Sequence, residues 1–490
     1  MAMNIRKLRL IGAASIALAA AGCATAPIPS ASTPITQAEA QQGAEYHPQL
    51  LAEFGGAMSG PQAAYVEQIG KNIAVQSGLG NARESFTVSL LNSSVNNAFA
   101  VPGGYIYSTR QLVALMNNEA ELAGVLGHEV GHVAARHAQR RQRAAQNNQL
   151  LGIGGAILSG ILLGNSGLGQ QASQLALQGS QLLTLRFSRS QELEADELGI
   201  QYLTRAGYDP RAMSTVLASL AAQNSLDAQL QGRKATVPEW ASTHPDPASR
   251  VQTAQAKAQG LATGVTNRDT FLSRIDGMLY GDDPAQGIIE GSRFIHPELM
   301  LSFTAPQGFY MVNGTRAVSV NGESGKAQLT LAPYSGNLDS YIRQQFTALG
   351  GQNSTLAPSS IQTTTVNGLK AAYGTARVNN GNSQVDVVVF AYEFARDRAY
   401  HFVAITPAGR AATFNPMFQS MRRITTAEAG AVVPRRIDVV TVPRGASVAS
   451  MARQMAYNTA QEARFRVLNG LGANDTLQAG QKVKVVVRAR

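Results

Sequence analysis

Asn118-Glu-Ala-Glu-Leu-Ala-Gly-Val-Leu-Gly-His128-Glu129-Val-Gly-His132 is the stretch that decides how the rest of the chain is read. Asn118-x-x-Glu121 has the form of a capping box, and Leu122, Val125, Leu126, Val130, Val133 and Ala134 follow at helical spacing. That pattern predicts one helix running to about Arg141. On it His128 and His132 stand at i and i+4, so both imidazoles leave one face and can bind a single zinc ion, while Glu129 reaches a water on the same metal. Two histidines of an ordinary core or surface have the same spacing, and the pentad alone leaves that alternative open.

Zinc hydrolases hold the metal with three protein ligands and keep a fourth position for water. A nearby third histidine is excluded, because the extended pattern needs Gly and His where Ala135 and Ala138 stand, and His137 is out of register. Further on, Gln191-Glu-Leu-Glu-Ala-Asp-Glu197 puts Glu192 and Asp196 on one helical face at i and i+4, with Glu194 pointing elsewhere. Glu192 could then complete the metal set, and Asp196 could accept a hydrogen bond from a ligand histidine and fix its tautomer. A solvated acidic helix is the competing reading. The helix itself is expected over Gln181–Arg205, ended by Gly207 and Pro210.

The N-terminus reads as an export signal over residues 1–22: Arg6, Lys7 and Arg9 precede an apolar run from Leu10 to Ala21 that is short for a membrane span. Leu18-Ala-Ala-Ala-Gly-Cys23 resembles a lipobox, with Ala20 where Leu is common, and Cys23 is the sole cysteine, so no intramolecular disulfide forms. Acylation of Cys23 would hold the protein on a membrane; the alternative is a small residue inside a signal cut later. Residues 23–44 read as a flexible tether, with order expected from about Tyr46. The formal charge of +10 loses Arg6, Lys7 and Arg9 with the signal, and the remaining excess lies in Pro434–Arg490, where ten Lys or Arg face three acids. A nucleic-acid role is excluded for an exported chain; the basic segment is a solvated surface or one drawn to an acidic wall or lipid headgroup.

Elsewhere, a helix is expected at Gln62–Ser77, a strand at Ser85–Leu91, and, with β-formers on both sides of a Pro-Gly-Gly turn in Asn97–Tyr107, a strand that bends or bulges at Gly103–Gly104, a pattern that is by itself a hairpin signal. Leu150–Leu163 is apolar but too short to span a bilayer, and reads as a buried or lid helix, with a membrane span as the alternative. From about Ser292 to Arg423 alternating runs indicate a separate β-rich domain, and Arg436–Arg490 follows a strand, helix, helix, strand pattern.

Four motifs together resemble the HtpX and CAAX-prenyl-protease family of zinc metallopeptidases, particularly its periplasmic BepA-like members. They are Asn97-Ala-Phe-Ala-Val-Pro-Gly-Gly, His128-Glu-Val-Gly-His132, Ser188-Arg-Ser-Gln-Glu-Leu-Glu-Ala-Asp196 and His244-Pro-Asp-Pro-Ala-Ser-Arg250, in the family's order over about Tyr46–Ala258. The resemblance implies one Zn2+ held by His128, His132 and Glu192, with Glu129 as general base and Asp196 behind a ligand. It implies that Asn97, Ala98, Phe99 and Ala100 lie on an edge strand where a peptide can add as a further strand. It also implies that His244 and Arg250 come from a loop over the metal and stabilise the oxyanion, and that His244 can take the open zinc position as a latch. A loop histidine before a turn-forming proline is the plainer reading of His244. The tetratricopeptide helices of BepA-like proteins are replaced here by the β-rich segment.

Val439–Ser447, Phe465–Leu471 and Leu477–Val485 resemble a LysM module, which implies binding to peptidoglycan; a capping domain without sugar affinity is the alternative. The fold class expected is therefore α+β: a mainly helical zincin of the gluzincin type over 45–262 with a small edge sheet, a β-rich domain over 286–425 and a βααβ module over 434–490. The function expected is an envelope endopeptidase acting on misfolded or misassembled proteins, in the periplasm and anchored to the outer membrane of a Gram-negative bacterium. The competing class is a latched, chaperone-like or peptidoglycan-tethering lipoprotein.

Overall fold

The computed structural model describes residues 33–80, 83–141, 143, 187–232, 244, 247–350, 356–380 and 383–489. Cys23 and Leu150–Leu163 lie outside them. Among the described residues no helix is long and apolar enough to cross a membrane.

The chain enters through α1 (Gln37–Glu53), whose start is fixed by a capping box between Thr36 and Glu39. Residues 37–44, expected as tether, are therefore helical. Tyr46, Leu50, Leu51 and Phe54 of this segment pack on Phe99, Val101 and Tyr107, which is the contact that orders it. α2 (Pro61–Ala74) and β1 (Thr87–Leu91) follow the predicted pattern. Asn97–Tyr107 turns at its Pro-Gly-Gly. The chain reverses fully at Gly103 and Gly104, both at positive φ, so that β2 (Ala98–Val101) and β3 (Tyr105–Thr109) form a hairpin. β1 joins β3 in parallel, giving the order β1-β3-β2 and leaving β2 at the edge.

After α3 (Arg110–Leu115), the long helix α4 (Glu119–Ala134) starts at Asn118, whose side chain accepts from Glu121 N. It does not continue unbroken to Arg141: a turn at Ala135–Arg136, with Arg136 at φ 48°, separates it from the helical residues 137–141. α5 (Arg189–Arg205) starts at a capping box between Ser188 and Gln191, and residues 181–186 of the helix expected over Gln181–Arg205 lie outside the described residues. α6 (Ala212–Leu230), α7 (Pro247–Ala258) and α8 (Arg268–Ile275) complete the helical layer around α4.

The β-rich segment carries a seven-stranded sheet over Tyr310–Pro407, whose neighbouring strands run in the order Ser360–Val366, Leu369–Asn380, Ser383–Ala395, Arg398–Pro407, Gly325–Leu331, Val318–Gly322 and Tyr310–Asn313. A helix at Leu338–Gly350 packs Tyr341, Ile342 and Phe346 on one of its faces. The C-terminal segment has the expected strand, helix, helix, strand order: Arg435–Thr441, Val448–Ala452, Gln461–Leu468 and Lys482–Arg488. Its two strands pair with each other, Arg435–Thr441 also pairs with Leu279–Tyr280, and Phe465, Val483 and Val485 join the same buried cluster as Leu122 and Leu126 of α4. The module is thus packed into the core of the helical domain instead of hanging on a linker.

Candidate metal centre

Helices α4 and α5 cross where Gly127 and Gly131 meet Ala195 and Gly199. An ideal Cβ on Gly199 would stand 3.1 Å from His128 N, so the close crossing depends on glycine. It sets His128, Glu129 and His132 against Glu192 and Asp196, all buried. His128 Nε2 lies 3.0 Å from His132 Nε2 and 3.3 Å from His244 Nδ1. The Glu192 carboxylate stands 3.5 Å from His128 Nε2, 3.4 Å from His132 Nε2 and 3.1 Å from His244 Nδ1.

These spacings fit a single cation. Four ligands at about 2.0–2.1 Å around tetrahedral zinc stand roughly 3.3 Å apart, and the five separations run from 3.0 to 3.5 Å. The hydrogen-bond chemistry agrees. Nδ1 of His128 is 2.9 Å from Asp196 Oδ1, and Nδ1 of His132 is 2.8 Å from His137 Nδ1. With the outer nitrogens so engaged, two Nε2 atoms face each other and a carboxylate, and a positive charge belongs between them. Burial alone would lower His128, but hydrogen bonds to Asp196 and Glu192 push it up to about 9, whereas burial keeps His132 well below its ordinary value. Burial opposes ionisation of Glu192, yet the charge of His244 and hydrogen bonds from three histidines hold it well below the usual carboxylate range.

Glu129 sits 1 % exposed beside this cluster with Oε1 lacking any hydrogen-bond partner, 3.6 Å from His244 Nε2. Burial raises its pKa against the pull of His244 and His128. A buried, orphaned carboxylate oxygen needs an explanation, and a water or substrate proton supplies one. Asn97 Oδ1 is a second buried atom without a partner.

Arg250 requires a correction. It lies on α7, not on a loop over the cluster, and its guanidinium is spent on carboxylates: Nε and Nη2 bind Asp196 at 2.7 and 2.6 Å, and Nη1 binds Glu192 at 2.5 Å. The geometry makes it a clamp on the acidic pair, and the Asp196 carboxyl, which burial would raise, is brought down to about 2 by that contact. His244 is brought to the cluster as expected, 1 % exposed.

Edge strand β2 runs beside α4. Ala98 belongs to the buried cluster on the α4 side and Ala100 packs against it, while Phe99 and Val101 face α1; Asn97 stands just before the strand. Thr109 N donates to Asn97 O across the directly opposed pair, so Phe99 and Val101 continue the bonded positions and the backbone of Ala98 and Ala100 turns to the open edge. A cleft between β2 and α4 is lined by Ala100, Pro102, His132, Val133, Arg136 and Phe187.

Sequence reasoning missed His137, which the break at Arg136 swings behind His132, and Phe187, whose ring stacks on His132 with centroids 3.9 Å apart. Neither has a signal in residue spacing.

The sequence model described as "Peptidase family M48" matches residues 61–258. The beta-barrel assembly-enhancing protease of Yersinia pestis is 34 % identical over 226 residues, covering 45 % of this chain and 44 % of that protein. The protein of that name in Escherichia coli O157:H7 is 30 % identical over 249 residues, 50 % of this chain and 49 % of its own length. The mitochondrial metalloendopeptidase OMA1 of Schizosaccharomyces pombe is 27 % identical over 220 residues, 44 % of this chain and 59 % of that one. The matches thus span about half the length of the bacterial relatives. Residues 61–258 are thus similar to the zinc metallopeptidases of peptidase family M48 and carry, in His128, His132, Glu192 and His244, a cluster that could hold the metal ion.

Proposed function

We propose that the chain is a zinc-dependent endopeptidase of the bacterial envelope that cleaves extended segments of misfolded or misassembled periplasmic and outer-membrane proteins. The observation that carries this reading is the set of buried donors, His128, His132, Glu192 and His244, within 4.8 Å of one another, next to an orphaned Glu129 and an open strand edge. His128, His132 and Glu192 would hold the metal, Asp196 and Arg250 would orient His128 and Glu192, and zinc when bound supplies Lewis-acid activation of water and carbonyl. A substrate strand would hydrogen-bond to the outward backbone of Ala98 and Ala100, which selects extended conformation over sequence. Glu129 would accept the proton of the attacking water at Oε1 and return it to the nitrogen of the leaving amine.

The relatives' name supports substrates met during β-barrel assembly. Sequence alone supports anchoring to the outer membrane at Cys23, and the LysM-like order of the C-terminal segment supports contact with peptidoglycan. A latched protein with little proteolysis is the second reading, favoured by His244 standing at the fourth corner of the donor set. The test is digestion of a denatured outer-membrane protein by the mature chain. Wild type should cleave and lose cleavage to chelator, while Glu129→Gln should keep zinc and lose cleavage by about 10²–10⁴-fold. Cleavage undiminished in that variant removes Glu129 from the reaction.

A further inference from the structure

The outer side of His132 is built as carefully as that of His128, but from different residues. His128 Nδ1 faces the Asp196 carboxylate, itself gripped by Arg250. His132 Nδ1 faces His137 Nδ1 at 2.8 Å, His137 Nε2 faces Glu194 Oε2 at 3.1 Å, and Arg140 Nη1 holds both Glu194 oxygens at 3.0 and 3.2 Å. His137 is fully buried, while Glu194 and Arg140 reach solvent. Each histidine nitrogen turned to the metal must present a lone pair, so the single proton of His132 sits on Nδ1 and donates to His137 Nδ1. His137 then carries its own proton on Nε2 and donates it to Glu194. The opposite order would set two N–H groups against each other, so the chain of hydrogen bonds runs in one direction only.

A continuous helix could not make this contact. Five residues at 3.6 per turn leave His137 well round the cylinder from His132. The turn at Arg136, in the left-handed region at φ 48°, re-aims the chain. Arg136 is 3 % exposed and held there by Glu39 Oε1 at 3.2 Å, Thr33 O at 2.8 Å and Ala134 O at 3.1 Å. The start of α1 therefore braces the break that places His137.

We propose that His137 and Glu194 are positioning residues that fix the tautomer and ring plane of His132 for zinc, through the left-handed break at Arg136. The inference rests on His132 being a metal ligand, as proposed above. The experiment measures the zinc dissociation constant of the mature full-length chain by competition with a chromophoric chelator. It compares wild type with His137→Leu, His137→Asn and Glu194→Gln, and records the thermal midpoint of each metal-free protein.

Leu and Asn have nearly the same size, but only the Asn oxygen can accept the His132 proton from the place of His137 Nδ1. His137→Leu should weaken zinc binding about 10–100-fold, the usual cost of losing such a partner, and His137→Asn should recover most of it. Glu194→Gln, a half-exposed change that leaves the core intact, should lose about three- to tenfold. Equal zinc constants for wild type and His137→Leu overturn the proposal, as do equally weak Leu and Asn variants with the same metal-free midpoint. Should His137→Leu fail to fold, Glu194→Gln decides, and an unchanged constant there overturns it. Wild-type protein that binds no zinc would sink the metal-site reading itself, which separates the two failures.

Discussion

Two glycines on one helix give opposite predictions when each is changed to alanine. A Cβ on Gly124 meets nothing closer than Leu203 Cδ1 at 3.5 Å, an ordinary contact. Gly124→Ala should therefore stabilise the protein by up to the helix-propensity difference, about 0.8–1 kcal/mol. A Cβ on Gly131 would stand 3.0 Å from Ala195 O, 3.2 Å from Ala195 Cα and 3.3 Å from Leu198 Cβ, all on α5. Two of these atoms are backbone, so α5 must retreat by a few tenths of an ångström. Overpacking of this kind costs about 1–3 kcal/mol, which against the same propensity gain leaves Gly131→Ala roughly 0–2 kcal/mol less stable. The retreat also carries Glu192 and Asp196, which flank Ala195, away from His128 and His132. Zinc affinity should fall about tenfold, near 1.4 kcal/mol. Thermal melts of the metal-free proteins and chelator competition read the two effects separately. A Gly131→Ala protein as stable as Gly124→Ala and with undiminished zinc affinity would refute the claim that this helix crossing sets the donor geometry.

Glu192→Ala should lose tight zinc while staying folded, and stoichiometric tight zinc in that variant, by metal analysis after dialysis, would place the third ligand elsewhere. X-ray absorption at the zinc edge should count three imidazoles in the resting protein and two in His244→Ala; two imidazoles and a water in both would remove the latch. Cys23→Ala should release the protein from membranes into the soluble fraction, and wild-type protein that washes off in high salt with an N-terminus beyond Cys23 would end the anchor proposal.

The helical domain was legible because its chemistry is local. Histidines at i and i+4, a carboxylate pair at the same spacing and the capped helix start at Asn118 are read from neighbouring letters, and the structure brings His128, Glu129, His132, Glu192, Asp196 and His244 into one buried cluster. What failed was tertiary. Nothing in Ala135-Arg136-His137 says that Arg136 takes a left-handed conformation, because the groups that stabilise it are Glu39 and two carbonyls from a segment about a hundred residues earlier. On an unbroken helix His137 is out of register with His132. The resemblance implies that Arg250 stabilises the oxyanion, whereas two buried carboxylates within 2.7 Å claim its guanidinium. The tether ended early because Tyr46, Leu50 and Phe54 find an apolar sheet face that no local pattern announces.

Docking of the C-terminal segment on the helical domain turns on Lys484. Its side chain is fully buried, and Nζ donates to the carbonyls of Ala114, Leu115 and Met116 at 2.8, 3.3 and 2.5 Å, the end of α3 just before α4. Burial pushes its pKa down to about 7, against the upward pull of Glu121. Because the folded value lies below the ordinary 10.5, the unfolded chain binds more protons between about pH 7 and 10.5, so stability from this group rises with pH across that window and is lost as pH falls toward 7. Lys484→Met should abolish that slope. It should also destabilise at neutral pH by about 2–4 kcal/mol, since two or three buried carbonyls lose their donor at about 1–3 kcal/mol each and the methionine chain refills part of the space. Urea melts at pH 7 and 9.5 read both terms. A Met variant as stable as wild type at pH 7, with the same dependence on pH, would mean that the three carbonyls do not hold the module, and that its attachment comes from the apolar contacts of Phe465, Val483 and Val485 alone.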